Sequence, residues 1–286
     1  MEYEVTMILY HFPNAQMVVE NPYQNTKTLS HNAAKETLGL HNTDFWSMKL
    51  IAWNCCGAAN QSFMRHFRDL KNTHSPVMML ILETKLAGDR ARDSASNLYS
   101  SYHIVDAEGY AGGLWLLWDR NQISVEVVST SNQAIHAIVK VRNHPTISNV
   151  DWFFSGIYGR PQFDIRSLLW QELTNLAEYV FGPWIISGDF NDVLLQTKKF
   201  GGLPVNQTRI QAYSSCMNAC NMMDLGFVGG RFTWVNMQSD GQIIREHLDR
   251  FWGNPEWRTS FPEATVFHLP RVHSDHNPIL LNLNPS

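Results

Sequence analysis

The sequence Ile-Ile-Ser-Gly-Asp-Phe-Asn-Asp at residues 185–192 is the stretch that decides the fold. Its β-branched start and its Gly-Asp end predict a buried strand that stops at Asp189. This strand presents a carboxylate at its carboxyl end, and Asn191 adds a carboxamide two residues later. Strand ends in packed α/β domains hold polar groups against ligands, although Gly, Asp and Asn also form ordinary turns. The rest of the sequence is needed to distinguish a ligand-binding site from an ordinary strand-to-loop turn.

The composition of the chain is that of a globular protein. It has 286 residues, of which 44% are hydrophobic and 17% are charged, and this is enough material for a large core. The formal net charge of -4 argues against strong non-specific binding of nucleic acid, yet it permits a local basic face. The four cysteines, at 55, 56, 216 and 220, have no zinc-site spacing and indicate the reduced thiols of an intracellular protein.

Residues 1–47 differ from the rest of the chain. Residues 21–42 are rich in Asn, Thr, His and Lys and show little apolar periodicity, which predicts a poorly ordered N-terminal extension. The folded domain is predicted to span residues 48–286, and Met48 stands just before its first strand.

The sequence carries no pattern of a targeting or membrane segment. No Lys or Arg precedes Lys27, which excludes a basic signal peptide and an Arg-rich transit peptide. The longest strongly apolar run, at residues 77–82, is too short to span a bilayer. We therefore expect an intracellular protein, nuclear or cytoplasmic, that is monomeric and has no membrane partner.

Strand and helix patterns follow one another from Lys49 onward. The run of strands between residues 102 and 158 is typical of an antiparallel meander, and the mixed order predicts an α/β fold of two sheets packed face to face with helices outside. Strands are predicted at 49–54, 77–82, 102–106, 113–119, 123–129, 134–142, 151–158, 185–189, 232–236, 243–251, 264–269 and 279–283. Helices are predicted at 61–71, 90–99, from a cap at Asp164 to 180, and at 210–220 with Asn206 or Thr208 as cap.

Polar side chains recur where the predicted strands end or begin. Asn54, Glu83 and Asp189 each follow an apolar strand, Ser-Asp-His at 274–276 precedes the last strand, and Leu-Asp-Arg at 248–250 supplies Asp249 near the end of the strand predicted at 243–251. Each of these alone also fits a turn, a cap or an exposed loop. Five such positions in one chain favour a common site.

The residue types at these positions suit a divalent cation. The carboxylates of Glu83 and Asp275 and the amide oxygen of Asn54 are hard donors, which Mg²⁺ prefers together with water and phosphate. No Gly-rich phosphate loop, signature cysteine nucleophile or serine elbow competes with this interpretation. The sequence therefore predicts Mg²⁺, with Mn²⁺ as a substitute, at these three residues.

The remaining polar groups suit acid–base chemistry on a phosphate. Asp189 near a metal-held phosphate can orient and deprotonate a water molecule. His276 held by the carboxylate of Asp249 keeps one orientation and stays cationic beside a phosphate.

In this order, the motifs resemble the endonuclease/exonuclease/phosphatase superfamily, which includes deoxyribonuclease I and the apurinic/apyrimidinic endonucleases. The motifs are Trp-Asn at 53–54, Leu-Glu-Thr-Lys at 82–85, Tyr158, Gly-Asp-Phe-Asn at 188–191, Leu-Asp-Arg at 248–250 and Ser-Asp-His at 274–276. A narrower set resembles the endonuclease domain of plant LINE-type (non-LTR) retrotransposons. It consists of residues 188–192, Phe-Gly-Gly at 200–202, Asp-Leu-Gly-Phe at 224–227, Gly-Arg-Phe-Thr-Trp at 230–234 and residues 248–250. The resemblance covers residues 48–286.

The resemblance implies a four-layer α/β/β/α sandwich of two packed mixed β-sheets, as in deoxyribonuclease I. It also implies roles for single residues. Asn54, Glu83 and Asp275 would ligate the metal, and Tyr158 would contact the scissile phosphate. Asp189 and Asn191 would handle the water and the leaving group, and Asp249 would orient the catalytic His276. Of the two groups proposed as base in such enzymes, we favour Asp189, with His276 holding the phosphate.

The resemblance implies DNA as the partner. In the resembling endonucleases a hairpin beside the active site probes the DNA groove, and here residues 232–251 with a Ser-Asp-Gly turn at 239–241 match it. Arg160, Arg209, Thr233 and Arg245 are the predicted nucleic-acid contacts, because arginines neutralise phosphates. An ordinary exposed hairpin is the alternative.

Two positions depart from the pattern. Cys56 stands where many apurinic-type enzymes have an aspartate, which weighs against a second metal position or tight Mg²⁺ binding. Arg160 stands where retrotransposon relatives often have other residues. We therefore expect a Mg²⁺-dependent DNA-nicking endonuclease of retrotransposon origin. A phosphatase of the same superfamily and a catalytically silent remnant are the alternatives.

Overall fold

The computed structural model describes residues 48–142 and 150–284, so the predicted N-terminal extension lies outside the described residues. The first strands are β1 (Lys49–Asn54), β2 (Met78–Leu82), β3 (Ser101–Glu108), β4 (Ala111–Trp118), β5 (Ile123–Thr130), β6 (Ala134–Val141), β7 (Asp151–Tyr158) and β8 (Trp184–Asp189). They are followed by β9 (Lys199–Phe200), β10 (Met223–Asp224), β11 (Val228–Gly229), β12 (Trp234–Met237), β13 (Ile243–Glu246), β14 (Asp249–Gly253), β15 (Thr265–His268) and β16 (Ile279–Asn282). The helices are α1 (Gln61–His74), α2 (Gly88–Ser96), α3 (Phe163–Leu176), α4 (Gln207–Ala219) and α5 (Pro255–Ser260), with a 3₁₀ turn at Gln196–Lys198.

The strands form two large mixed sheets and one small sheet. The seven-stranded sheet has the order β11-β15-β16-β1-β2-β4-β3, and the six-stranded sheet has the order β10-β14-β8-β7-β6-β5. The small sheet is β12-β13-β9. The two large sheets pack on each other, as predicted.

Alternation along the strands explains the layers. In β1, Leu50 and Ala52 lie in the core between the large sheets, whereas Ile51 and Trp53 lie in the core that also contains the buried residues of α1 and α2. Successive strand residues point to opposite faces, so each strand supplies two cores. On the outer face of the six-stranded sheet, α3 and α4 pack on Ile186 and its neighbours. The predicted four-layer α/β/β/α sandwich is therefore correct.

Three predictions about the elements were wrong. The predicted meander divides, because β3 and β4 belong to the seven-stranded sheet while β5, β6 and β7 belong to the other. The predicted strand at 243–251 breaks at His247-Leu248 into β13 and β14, which lie in different sheets. Asp164 lies in the first turn of α3 instead of capping it, since Gln162 takes the cap position. Asn206 caps α4 by accepting from the backbone of Thr208 and Arg209, as predicted.

The topology gathers the predicted polar residues at one edge of the sandwich. β1 runs parallel to β2, and β7 runs parallel to β8, so both strands of each pair end on the same side. β14 runs antiparallel to β8, and its first residue, Asp249, is paired with Asp189. No helix among the described residues is long and apolar enough to cross a membrane.

Candidate active site

Asp189 is the centre of the site. It is fully buried at the end of β8, where its Oδ1 accepts from the backbone N of Asn191 at 2.9 Å and its Oδ2 accepts from Asn54 Nδ2 at 2.9 Å. The preceding Gly188 has a φ of +142°, and a Cβ atom there would lie 1.9 Å from the carbonyl oxygen of Ile157. Only glycine therefore lets the two parallel strands approach closely enough to hold Asp189 here.

Asn191 is fixed beside this carboxylate. Its φ is +49°, in the left-handed region that asparagine tolerates better than most residues. Its Nδ2 donates to the carbonyl oxygen of Gly159 at 2.8 Å and to Asp189 Oδ2 at 3.2 Å. The carboxamide therefore ties the end of β7 to the end of β8.

His276 is held by Asp249, with the geometry that the sequence predicted. Its Nδ1 lies 2.9 Å from Asp249 Oδ2, and its Nε2 lies 3.7 Å from Asp189 Oδ2. Burial alone would lower the pKa of His276, but the carboxylates of Asp249 and Asp189 outweigh burial and raise it above its ordinary value. These charges favour the cationic imidazole, with Nδ1 donating to Asp249 and Nε2 directed toward Asp189 Oδ2 and Asn54 Nδ2.

Asp189, Asp249 and His276 form what we call the buried triad, whose ligand atoms all lie within 4.8 Å of one another. Burial raises the pKa of Asp189, and the nearby cation of His276 partly opposes that shift. A cationic imidazole donates from both nitrogens and has no lone pair for a metal ion. In its cationic form the imidazole suits proton transfer and anion binding, whereas loss of that proton would let the three ligand atoms hold a metal ion.

The loop and strand around Thr233 support the buried triad. The Thr233 hydroxyl is fully buried and accepts from the backbone N of Leu248 and of Asp249, each at 3.0 Å. Its prediction as a nucleic-acid contact is therefore corrected, because it positions Asp249 from inside the protein. Arg250 is also buried, and its guanidinium is paired with Asp224 at 2.5 Å.

Trp234 is a site residue that the sequence did not single out. Its Nε1 donates to Asp275 Oδ2 at 2.8 Å, and its backbone forms an isolated antiparallel bridge with His276. The hairpin β12–β13 is thereby attached directly to the loop that carries Asp275 and His276. Its place in the Thr-Trp pair that leads into the hairpin was the only sequence signal.

A second set of groups lies beside the buried triad. We call Glu83, Asp275, Cys56 and Lys85 the acidic rim. Burial raises the pKa of Cys56, and Glu83 and Asp275 raise it further, so both carboxylates lie near this thiol. Lys85 Nζ lies 3.0 Å from Glu83 Oε1 and 3.4 Å from Cys56 Sγ.

The donor chemistry of the acidic rim fits a divalent cation. Glu83 is partly exposed and Asp275 is exposed, and both are hard oxygen donors of the kind that Mg²⁺ takes together with water. In this structure Glu83 is bound to Lys85 and Asp275 to Trp234. Asn54 has a different immediate task, because its Oδ1 accepts from the backbone N of Cys56 at 3.0 Å while its Nδ2 holds Asp189. Its predicted role as a metal ligand stays a prediction.

Tyr158 joins the two sets of groups. Its side chain is buried at the end of β7, and burial raises the pKa of its hydroxyl, with further contributions from Glu83 and Asp189. Both carboxylates therefore lie near the same hydroxyl, which stays protonated and can donate a hydrogen bond.

The predicted nucleic-acid arginines differ in their surroundings. Arg245 is exposed on β13, with its guanidinium 5.9 Å from the ring centroid of Phe200. Arg209 Nη2 is bound to Asp192 at 3.1 Å and to the carbonyl oxygen of Asn191 at 3.1 Å. Arg160 is buried and paired with Glu108 at 2.7 Å. Of these three, only Arg245 presents a readily accessible cation.

Arg166 is a further residue that the sequence did not predict. It is fully buried in α3, and its Nη2 lies 2.7 Å from Asp192 Oδ2, so Asp192 carries Arg166 on one side and Arg209 on the other. Arg166 Nη1 also donates to the carbonyl oxygen of Arg160 at 2.5 Å. Through these two contacts, Arg166 connects the backbone that follows Tyr158 with the backbone that follows Asn191. A lone arginine on an amphipathic helix carries no sequence signal for this role.

Comparisons with known proteins agree with this architecture. The chain matches the Endonuclease/Exonuclease/phosphatase family over residues 51–276. Comparison with curated protein sequences gives no significant match. Among solved structures, an AP endonuclease (LMAP) from Leishmania major superposes with a TM-score of 0.64 at 14% identity, covering 84% of this chain and 89% of that one.

Two further structures show the same fold. A 3′ phosphatase (NExo) from Neisseria, bound to a product DNA hairpin, superposes with a TM-score of 0.60 at 15% identity and covers 83% of this chain and 100% of that one. The endonuclease domain of TRAS1, a telomere-specific non-LTR retrotransposon, has a TM-score of 0.57 at 12% identity and covers 83% and 99%. At these identities the likeness establishes the deoxyribonuclease I-like fold.

Proposed function

Because the chain belongs to the endonuclease/exonuclease/phosphatase family, a family of hydrolases, we propose that it is a metal-dependent endonuclease that nicks DNA. The observation that carries the proposal is the buried triad, in which a cationic His276 and a buried carboxylate face the same space. A phosphodiester needs a cation to bind it and a base to activate water, and these two groups supply both.

The residues of the chain have separate tasks in this reaction. Asp189 takes the proton of a water molecule whose oxygen attacks the phosphorus. Nε2 of His276 and the hydroxyl of Tyr158 donate to the phosphate oxygens, where negative charge accumulates. The bond from phosphorus to the 3′ oxygen breaks, and that oxygen takes a proton from solvent to leave a 3′-hydroxyl and a 5′-phosphate.

Asn54, Asn191 and Asp249 act through the reacting groups. Asn54 and Asn191 hold the Asp189 carboxylate in one orientation, so it does not have to reorganise when water binds. Asp249 keeps His276 cationic and correctly turned. Glu83 and Asp275 would hold a divalent cation, Mg²⁺ by preference, which neutralises phosphate charge when bound.

The proposed substrate is DNA, and the proposed origin is a LINE-type retrotransposon of plants. The narrower motif set between residues 188 and 250 supports this origin, and the fold likeness to the TRAS1 endonuclease domain is consistent with it. The exposed Arg245 and the exposed tip of the β12–β13 hairpin support contact with a polyanion. The alternative, hydrolysis of a small phosphate monoester, uses the same residues.

Conversion of supercoiled plasmid to the open circle tests the proposal. We expect nicking with Mg²⁺ or Mn²⁺, no nicking with EDTA, and nick ends that a DNA polymerase extends directly because they carry a 3′-hydroxyl. Asp189→Ala should abolish nicking, whereas Asp93→Asn, which removes an exposed carboxylate of α2, should leave it unchanged. Phosphate release from small monoesters in the absence of nicking would instead identify a phosphatase.

A further inference from the structure

The guanidinium of Arg160 lies beside the active site and uses few of its donors. Arg160 follows Tyr158 by two residues, and 8% of it is exposed. Its Nη2 donates to Glu108 Oε2 at 2.7 Å, while its buried Nε has no hydrogen-bond partner among the described residues. A guanidinium offers five N–H donors in a fixed fork, so this one retains capacity for an anion.

The position of this guanidinium is tightly determined. The backbone N of Arg160 donates to Gln133 Oε1 at 2.8 Å, and the carbonyl oxygen of Arg160 accepts from the buried Arg166. The guanidinium lies against Gly112, where a Cβ atom would come 3.2 Å from Nη2. The carbonyl oxygen of Gly112 in turn accepts from the backbone N of Lys85 at 3.0 Å. Arg160 is therefore preorganised next to the turn that carries the acidic rim.

Its partner, by contrast, is loosely held. The side chain of Glu108 is 63% exposed, and its other contacts are long hydrogen bonds from Asn132 Nδ2 at 3.3 and 3.5 Å. Glu108 ends β3 in one large sheet, whereas Arg160 follows β7 in the other, so the ion pair bridges the sheets at the end where the site lies. An ion pair with one exposed partner contributes little stability.

We propose that Arg160 is the seat of a second phosphate of the substrate, next to the scissile phosphate, and that Glu108 occupies this seat until a nucleic-acid strand displaces it. The inference rests on the proposed function and narrows it. A substrate that uses both positions must carry two neighbouring phosphates, as a polynucleotide does and a small monoester does not. Carboxylate and phosphate oxygens are alternative partners of the same guanidinium fork, and both make charge-assisted hydrogen bonds with it.

The direction in which one substitution changes the affinity for DNA tests the proposed phosphate site at Arg160. Glu108→Gln removes the competing charge, so the affinity of a fluorescently labelled DNA duplex, measured by anisotropy in EDTA, should rise by about 3–10-fold. The matched control Glu263→Gln removes another exposed negative charge, at the opposite end of the strands from the site, and should change the affinity by less than about 2-fold. Because Glu108 is mostly exposed, the variant is expected to fold. An unchanged or weakened affinity of Glu108→Gln would mean that Glu108 only holds Arg160 in place and does not compete with phosphate, which would overturn the inference.

A kinetic comparison separates this inference from the proposed function. In the Mg²⁺-loaded enzyme, Arg160→Gln should raise KM for a DNA duplex by roughly 10-fold or more with kcat within about 2-fold, and the loss of kcat/KM on the duplex should exceed the loss on bis(p-nitrophenyl) phosphate by about the same factor. Equal losses on both substrates would mean that Arg160 supports the fold alone and would contradict the seat. If Glu108→Gln binds the duplex more tightly but the protein does not nick DNA, Arg160 binds a second phosphate and the proposed nuclease activity is wrong. If the protein nicks DNA but Glu108→Gln does not bind more tightly, the nuclease proposal stands and the role of Arg160 is wrong.

Discussion

The buried triad and the acidic rim are neighbours that are built in opposite ways. In the buried triad every residue is at most 5% exposed. The Asp189 carboxylate accepts from Asn54 and Asn191, and the Asp249 carboxylate is bound to His276 at 2.9 Å. In the acidic rim, Glu83, Cys56 and Asp275 reach solvent, and Lys85 supplies the only cation seen there among the described residues. Burial makes the triad rigid and strongly polarised, whereas exposure leaves the rim adjustable. Substitutions in the two regions should therefore differ in size and in kind.

The largest expected effect comes from breaking the buried triad. Asp249→Asn should lower kcat for plasmid nicking by about 10²–10⁴-fold, because the amide no longer stabilises the imidazolium of His276. The Asp249 carboxylate raises the pKa of His276, so its removal lowers that pKa, and the alkaline limb of the pH–rate profile should move to lower pH. The measurement is kcat/KM from pH 6 to about 10.

Asp224→Asn is the matched control for this prediction. Asp224 lies in β10, the strand next to β14. Its carboxylate pairs with Arg250 and not with His276. We expect a lower melting temperature and a nearly unchanged rate and pH profile. If Asp249→Asn nicked DNA at the normal rate, His276 would not depend on its partner and the buried triad would lose its role.

A smaller effect should come from completing the acidic rim. Cys56 has a φ of 52°, in a region that aspartate adopts more readily than most residues, so Cys56→Asp is compatible with the backbone. A third carboxylate beside Glu83 and Asp275 should lower the Mn²⁺ concentration for half-saturation by about 10-fold. Electron paramagnetic resonance of free Mn²⁺ reads this binding directly.

Cys56→Ser separates charge from shape at the same position. The serine keeps a small neutral side chain, so metal affinity should stay near that of the natural protein. Equal affinities for Cys56→Asp and Cys56→Ser would show that the cation lies elsewhere than on the acidic rim.

The smallest expected effect concerns the hairpin that touches both regions. Residues 238–242 form its exposed tip, where the backbone N of Gln238 donates to the carbonyl oxygen of Gln242 at 2.8 Å. Replacing the tip with Gly and Ser should change which plasmid sequences are nicked and leave the total rate within about 3-fold, since Trp234 still holds Asp275. Sequencing of nick ends measures the change.

A second turn provides the control for the hairpin. Arg120 and Asn121 lie in the exposed turn between β4 and β5, at the opposite end of the strands from the site. Gly-Ser in their place should leave the cleavage pattern as it is. An identical pattern for both replacements would make the β12–β13 hairpin a scaffold without influence on target choice.

Local patterns were sufficient for much of the fold. The limits of β1 and β7 agree with the sequence to the residue, because each combines a strong apolar run with a polar stop. The distribution of strands between sheets was beyond such patterns, since β4 and β5 look like consecutive strands of one meander. Their separation depends on which faces bury each other, and that is a property of the packed sandwich.

The sequence by itself determined the members of the proposed site, because Asn54, Asp189, Asp249 and His276 occupy motifs at or near predicted strand ends. It also determined the pairing of His276 with Asp249, through the motif resemblance. Only the tertiary structure decided which polar groups are available to a ligand. Thr233 and Arg250 turned inward, Arg160 took Glu108 as partner, and Arg166 joined from a helix with no signal of its own. The physical reason is that burial and ion pairing arise from residues far apart in the chain, whose meeting no local pattern encodes.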